Sequence, residues 1–109
     1  DFEKWLEKYP YYNVGTLASG TYKNMTEDYK ALRGWNFLAI SPDLPEDFVY
    51  ELTKLTWENV EAIHNAHISF KQTDLENVKY MNLPLHPGAK RYYEEKGVEL
   101  PQLPPPPKN

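Results

Sequence analysis

Apolar residues recur with a helical period at the start of the chain. Trp5 and Leu6 lie three and four positions after Phe2, with charged residues between them, and Pro10 ends the pattern. Residues at these separations share one face of a helix. The pattern therefore predicts a short helix that stops before Pro10.

Two apolar stretches without this period predict short strands. The first covers residues 11–17 and ends in a small-residue turn at 18–20, and the second covers residues 35–40. The polar residues 21–32 between them indicate a loop or a short helical turn. Because two strands do not make a self-sufficient sheet, we expect their partners in sequence outside this chain or in a second copy of it.

The longest amphipathic pattern predicts a helix over residues 45–67. Residues 41–47 (SPDLPED) supply a capping residue, a proline suited to a first turn and acids near the positive end of the helix dipole. The apolar face of this helix comprises Phe48, Val49, Leu52, Leu55, Val60, Ile63 and Ala66. Tyr50 and Trp57 lie off this stripe, so we expect them to pack against a second surface.

The remaining sequence predicts two shorter helices. One lies within residues 69–80 and is capped at Thr73 or Asp74, and the other spans residues 87–96 and ends at Gly97. The final stretch, residues 98–109, is rich in proline, and we expect an extended, disordered tail there. The 109 residues allow one domain at most, which we place over residues 1–97.

Composition and charge exclude several classes of partner. The chain has 12 Lys and Arg against 16 Asp and Glu, a net charge of −4, and no run of basic residues. We therefore expect no nucleic acid as a partner, because nucleic-acid binders carry a basic patch. No apolar stretch approaches the roughly 20 residues that a bilayer crossing needs. The absence of cysteine excludes disulfides, thiol nucleophiles and thiolate metal sites.

Candidate catalytic and metal-binding residues are few. Glu61, His64 and His67 recur at intervals of three on the predicted helix and could share a metal-binding face, but the interpretation we favour is a polar helix end with histidines near the negative pole of the dipole. His86, between two prolines, fits a structural hydrogen-bonding role in a tight turn. No nucleophile motif and no phosphate-binding glycine pattern is present. We predict a protein that is not an enzyme and that has neither cofactor nor bound metal.

The turn after the first predicted strand is the strongest candidate ligand site. A glycine turn exposes backbone N–H groups, and two neighbouring hydroxyl side chains could orient a small polar ligand. We name Gly20, Thr21 and Tyr22 as candidate ligand-binding residues. An ordinary turn at the end of a strand is the alternative interpretation.

Four stretches carry a family resemblance. They are residues 17–22 (LASGTY), 43–54 (DLPEDFVYELTK), 58–59 (EN) and 84–97 (PLHPGAKRYYEEKG). Together they closely resemble the C-terminal third of the TAXI family of solute receptors for TRAP transporters. That family has a turn ending Ala-Gly-Thr-Tyr, a Leu-Pro-Glu-Asp helix and a Pro-x-His-Pro-Gly-Ala-x-Arg-Tyr-Tyr segment. Here Ala18-Ser19 replaces the usual Pro-Ala, and Lys23-Asn24 replaces a common Pro-Gly.

The resemblance implies a fold and a function. The expected fold is the C-terminal part of a type II periplasmic-binding-protein fold, in the α/β class, helix-rich with few short strands. The expected function is that of an extracytoplasmic receptor, periplasmic where a periplasm exists. Such a receptor captures a small organic anion, glutamate or dicarboxylate-like, and delivers it to the membrane permease subunits of a TRAP transporter.

The resemblance also implies places for individual residues. Tyr50 and Trp57 would face sequence outside this chain, and Arg91 would lie on the surface of the last helix rather than in the ligand cleft. Self-association through exposed apolar surface is expected if the chain is separated from the rest of such a receptor. The rival interpretation is a self-standing helical protein-interaction module with a Pro-rich tail.

Overall fold

The computed structural model describes residues 1–103, which divide into two compact units, residues 1–36 and a unit that begins at Phe37. The helices are α1 (Phe2–Lys8), α2 (Glu46–Glu58), α3 (Val60–Ala66) and α4 (Pro87–Glu95), and the strands are β1 (Asn13–Leu17) and β2 (Tyr29–Arg33). Two 3-10 helices, Ile68–Gln72 and Leu75–Tyr80, lie between α3 and α4. The class is α/β and helix-rich, as predicted, and it is consistent with part of a binding-protein fold.

The first unit is held together by aromatic rings beside a short helix. The carboxylate of Asp1 accepts a hydrogen bond from the amide of Glu3 at 3.2 Å and so caps α1. The Trp5 ring lies 4.6 Å from the ring of Tyr9 and 4.7 Å from that of Tyr12. The predicted first helix is confirmed, and its apolar face packs onto the tyrosines that follow it.

The hairpin of the first unit corrects the strand prediction. β1 lies within the predicted first strand and pairs antiparallel with β2, from Asn13 opposite Arg33 to Leu17 opposite Tyr29. β2 occupies the end of the stretch 21–32 and continues to Arg33, so the prediction of a loop or helical turn is wrong there, as is the expectation that the strand partners lie elsewhere. The hairpin was not predicted because a long polar loop joins its strands, whereas the sequence signatures of hairpins apply mainly to short turns.

The strand predicted over residues 35–40 is also wrong. This stretch has no regular secondary structure. The sheet of the described residues contains β1 and β2 alone, so an apolar extended segment finds no strand there with which to pair. Apolar composition favoured a strand, but a strand also requires hydrogen-bonding partners.

The predicted helix over residues 45–67 is interrupted at Asn59. The Asn59 side-chain amide donates to the carbonyl oxygen of Leu55 at 2.8 Å, and its backbone N–H donates to the same oxygen at 3.2 Å. A side chain that competes for a backbone carbonyl weakens the helix at that point. The helical periodicity continues across the break, which is why the sequence pattern predicted a single helix.

The core of the second unit lies where α4 packs on α2. Val49 of α2 is buried, as are Tyr92 and Tyr93 of α4, and Val78 of the second 3-10 helix joins them. The amide of Tyr50 lies only 2.6 Å from the place that a Cβ on Gly88 would occupy. Glycine is therefore required at position 88, because any side chain would separate the two helices.

The structure corrects the expected places of Tyr50 and Trp57. Tyr50 lies edge-on to the Tyr92 ring with 6.0 Å between centroids, and Trp57 lies edge-on to the Tyr93 ring at 6.3 Å. The Trp57 indole N–H donates to the Tyr93 hydroxyl at 3.2 Å. Both side chains pack against α4, so this chain itself covers the second surface of the amphipathic helix.

The remaining helices follow the prediction with small differences. Residues 69–80 form parts of two 3-10 helices rather than one helix, and the Asp74 carboxylate caps the second by accepting from the Glu76 amide at 3.0 Å. α4 ends at Glu95, and Gly97 follows with a φ of +67°. Leu100 packs against the core, while residues 104–109, which are half of the predicted tail, lie outside the described residues.

Within residues 1–103, each helix is too short or too polar to cross a lipid bilayer.

Candidate functional site

The three predicted ligand-binding residues lie in the loop that joins β1 to β2. This hairpin loop comprises residues 18–28, and the strand pair next to it is Leu17 opposite Tyr29. The loop changes direction at Gly20, which has a φ of +78°, and at Asn24, which has a φ of +69°. Glycine adopts this left-handed conformation freely, and asparagine tolerates it better than most residues. Asn24 can therefore stand where the TAXI pattern has glycine.

The backbone amides of the glycine turn are engaged within the loop. The Ser19 N–H donates to a carboxylate oxygen of Asp28 at 2.7 Å, and the Gly20 N–H donates to the Met25 carbonyl at 2.8 Å. The Thr21 N–H donates to the Ala18 carbonyl at 3.2 Å. Each of these three amides therefore already has an acceptor within the loop.

The hydroxyl groups of Thr21 and Tyr22 are in different situations. The Thr21 hydroxyl donates to the Ala18 carbonyl at 2.6 Å, which leaves it able only to accept a further hydrogen bond. Tyr22 is 67% exposed, so its phenol is presented to solvent. The structure brings Gly20, Thr21 and Tyr22 together in one loop, and their role in ligand binding stays a prediction.

Sequence reasoning missed Asp28. This residue lies at the far end of the loop, immediately before β2, and its carboxylate reaches back nine positions to Ser19. Recognition of β2 would have revealed it, because the strand register places Asp28 beside the turn. Without that register, Asp28 reads as one more solvated acid in a polar stretch.

The candidate metal ligands on and after α3 are used in local hydrogen bonds. Nε2 of His64 lies 2.7 Å from the Thr73 carbonyl oxygen, and Nδ1 of His67 accepts from the Ser69 amide at 3.1 Å. Glu61 lies in the first turn of α3. Within residues 1–103, no group of three or more His, Cys, Asp or Glu residues is placed to hold a metal ion.

His86 connects the start of α4 to the residues just before α2. Nδ1 of His86 accepts from the Gly88 amide at 3.1 Å, and Nε2 lies 2.9 Å from the Leu44 carbonyl oxygen. The Leu44 oxygen only accepts, so Nε2 carries the proton. The structural role that the sequence predicts for His86 agrees with these contacts.

Arg91 lies on the surface of α4, as predicted. Its guanidinium bonds to Glu46 at 2.8 Å and to Asp47 at 3.0 Å, and it stacks on the Tyr50 ring at 4.2 Å from the centroid. The hydrogen bond that Arg91 donates to Asp47 raises the pKa of Arg91 above its usual value. The Tyr50 hydroxyl donates to Glu95 at 2.6 Å, and that bond raises the pKa of Tyr50.

The outer face of α2 exposes two large apolar side chains beside acidic ones such as Glu51 and Glu58. Phe48 and Leu55 are seven positions apart on one side of the helix and are 56% and 55% exposed, whereas Val49 on the α4 side is buried. Further large apolar side chains of the second unit are also exposed; they include Leu38, Ile68 and Leu83.

One comparison with known proteins bears on the whole chain. A family model described as the NMT1-like family matches residues 1–97, which cover both units to the end of α4 and exclude the Pro-rich stretch. This family is of the periplasmic solute-binding type. The expected relation to solute-binding proteins is confirmed at this level, and TAXI membership stays a prediction. The chain belongs to the NMT1-like family.

Proposed function

We propose that this chain is part of an extracytoplasmic solute receptor of the TAXI type. The receptor captures a small organic anion, glutamate or dicarboxylate-like, and delivers it to the permease subunits of a TRAP transporter; it is not an enzyme. The observation that carries this proposal is the match of residues 1–97 to a solute-binding family. The four quoted motifs, above all residues 84–97, support the narrower TAXI assignment.

The balance of buried and exposed apolar side chains supports a role within a larger body. In the described residues, the buried hydrophobic side chains are Val49, Val78, Tyr92 and Tyr93, while many large ones remain exposed, including Phe48 and Leu55 of α2. A soluble monomer rarely leaves so much apolar surface open. In a receptor with two lobes, this surface packs against the rest of the protein.

The proposed mechanism is closure of two lobes around the solute. The β1–β2 loop contributes the Tyr22 phenol, which can both donate and accept a hydrogen bond. The charge of an organic anion is balanced by donors and an arginine that other parts of the receptor supply. Arg91 does not serve this purpose, because Glu46 and Asp47 already hold it on the surface of α4.

A conservative substitution at Tyr22 tests the proposal. Isothermal titration of the full-length receptor with L-glutamate and with glutarate compares the parent protein with Tyr22→Phe and with the matched control Tyr29→Phe. Loss of a hydrogen bond to a charged solute weakens binding about tenfold or more, and the control stays within about twofold. Binding of neither solute would contradict the proposed substrate class, and unchanged affinity in Tyr22→Phe would remove the loop from the site.

The open face of α2 also favours a second candidate, a protein-interaction module. A module would be a particle of fixed size when the chain is purified alone, whereas a chain that lacks its covering lobe would self-associate or aggregate. Sedimentation velocity of the parent chain and of Phe48→Ser/Leu55→Ser separates the two. A single stable species that the double substitution leaves unchanged would favour the module.

A further inference from the structure

The β1–β2 loop contains a carboxylate in the place where an anionic ligand would bind. The Ser19 amide, which the turn would otherwise offer to a ligand, donates to Asp28 at 2.7 Å. The neighbouring Gly20 amide is bound to the Met25 carbonyl at 2.8 Å. A carboxylate fixed on the Ser19 amide both satisfies that donor and repels a second negative charge.

The contact with Asp28 also holds the shape of the loop. It joins the first residues after β1 to the last residue before β2, and among the described loop residues it spans more positions than any other hydrogen bond within the loop. Gly20 adopts its positive φ freely, so the turn alone does not fix the path of the loop. Tyr22 follows that turn directly, so the direction of its phenol depends on the turn.

We propose that Asp28 is a positioning residue of the candidate ligand site: its carboxylate binds the Ser19 amide, holds the glycine turn in place and thereby presents the Tyr22 phenol as the group that meets the solute. This inference rests on the proposed function, because it concerns the same loop. The inference also limits which part of the solute the loop can contact. The loop contacts a neutral or hydrogen-bond-donating part of the solute, and the carboxylates of the solute bind elsewhere in the receptor.

Three substitutions separate positioning from simple charge removal. Asp28→Ala removes the acceptor and the charge, Asp28→Asn keeps an oxygen that can accept from Ser19, and Glu27→Ala removes a neighbouring charge of the same loop. In isothermal titration of the full-length receptor with L-glutamate, we expect Asp28→Ala to bind about fivefold to tenfold more weakly. We expect Asp28→Asn and Glu27→Ala to stay within about twofold of the parent protein.

Other outcomes overturn the inference. If Asp28→Ala binds L-glutamate as tightly as the parent or more tightly, the freed Ser19 amide takes the solute and Asp28 does not position Tyr22. If Asp28→Asn is as weak as Asp28→Ala, the charge and not the hydrogen bond to Ser19 is what matters. Melting temperatures of all three variants show that each is folded at the titration temperature.

A readout that needs no ligand keeps this inference distinct from the proposed function. Hydrogen–deuterium exchange of the peptide that covers residues 17–22 reports the Ser19 amide directly. We expect exchange at least about tenfold faster in Asp28→Ala, with protection retained in Asp28→Asn. If the parent receptor binds neither L-glutamate nor glutarate, the proposed substrate class fails while this result still decides the role of Asp28. Equal exchange in Asp28→Ala and the parent would overturn that role.

Discussion

The two units of this chain differ in how many side chains they bury and in whether they contain the candidate ligand site. None of residues 1–36 is fully buried, and that unit consists of a hairpin and a short helix with packed aromatic rings. The second unit buries Val49, Tyr92 and Tyr93 between α2 and α4. Ligand-binding residues are often found in loops, which can change conformation without disturbing a packed scaffold. The candidate site lies in the unit with the least burial.

The kinds of contact differ as well. In the first unit, the hydrogen bonds and ring contacts described above join residues that are close in sequence, apart from the β1–β2 pairing. In the second unit, Arg91 bonds to Glu46 across 45 positions, and Tyr50 bonds to Glu95 across the same separation. Contacts between distant positions make the second unit cooperative, so we expect substitutions there to destabilise the protein most.

The largest expected effect is truncation of the α2–α4 core. Tyr92 is 3% exposed, and Tyr92→Ala leaves a cavity that should lower the free energy of unfolding by about 3–5 kcal/mol. Urea denaturation measures the loss. The matched substitution Trp5→Ala in the first unit should cost clearly less, since Trp5 is only half-buried. Equal losses at the two positions would contradict the difference between the units.

A smaller effect is expected at the helix contact of Gly88. A Cβ there would lie 2.6 Å from the Tyr50 amide, so Gly88→Ala must push α4 away from α2 and should cost about 1–3 kcal/mol. Thermal unfolding followed by near-UV circular dichroism reports both the stability and the tyrosine packing. A Gly88→Ala protein with unchanged stability and spectrum would show that the two helices are not in close contact.

Gly20 provides the counterpart in the hairpin loop. No atom lies within 4 Å of the place of its Cβ, so Gly20→Ala meets no steric neighbour, and its cost comes from the φ of +78° alone. We expect a loss of about 1 kcal/mol in the free energy of unfolding. Faster hydrogen exchange should be confined to residues 18–28. Exchange that also increases in α2 and α4 would mean that the two units do not respond separately.

The smallest effect concerns alkaline pH. Burial raises the pKa of Tyr93 above its usual value of 10.0, whereas the unfolded chain ionises near that value. The contribution of neutral Tyr93 to the free energy of unfolding is therefore complete below about pH 10, and it falls as the pH rises beyond that value. Tyr93→Phe should flatten this alkaline decline relative to the parent protein. Urea midpoints measured from about pH 9 to pH 11 make the comparison, and an identical decline in Tyr93→Phe would contradict it.

Elements with strong local signals were predictable from the sequence. The period of Phe2, Trp5 and Leu6 identified α1, and the proline before and glycine after α4 set its limits to within a residue or two. These signals act within one turn of chain, so a single sequence contains them. The structural role of His86 followed in the same way, from its position between two prolines.

Features that depend on distant partners were not predictable. β2 was missed because Tyr29–Arg33 has no clear alternation and gains its identity only by pairing with β1. Tyr50 and Trp57 were recognised as a second surface, but the sequence did not show that α4 covers it. Asp28 was missed for the same reason, since its contact with Ser19 exists only once the hairpin register is known.

The most direct test of the account is a map of where the solute binds. Hydrogen–deuterium exchange of the full-length receptor, with and without L-glutamate, should show added protection in residues 18–28. Protection in α2 and α4, the scaffold of the second unit, should be unchanged within error. Protection that appears in α2 and α4 but not in residues 18–28 would contradict the division between scaffold and candidate site.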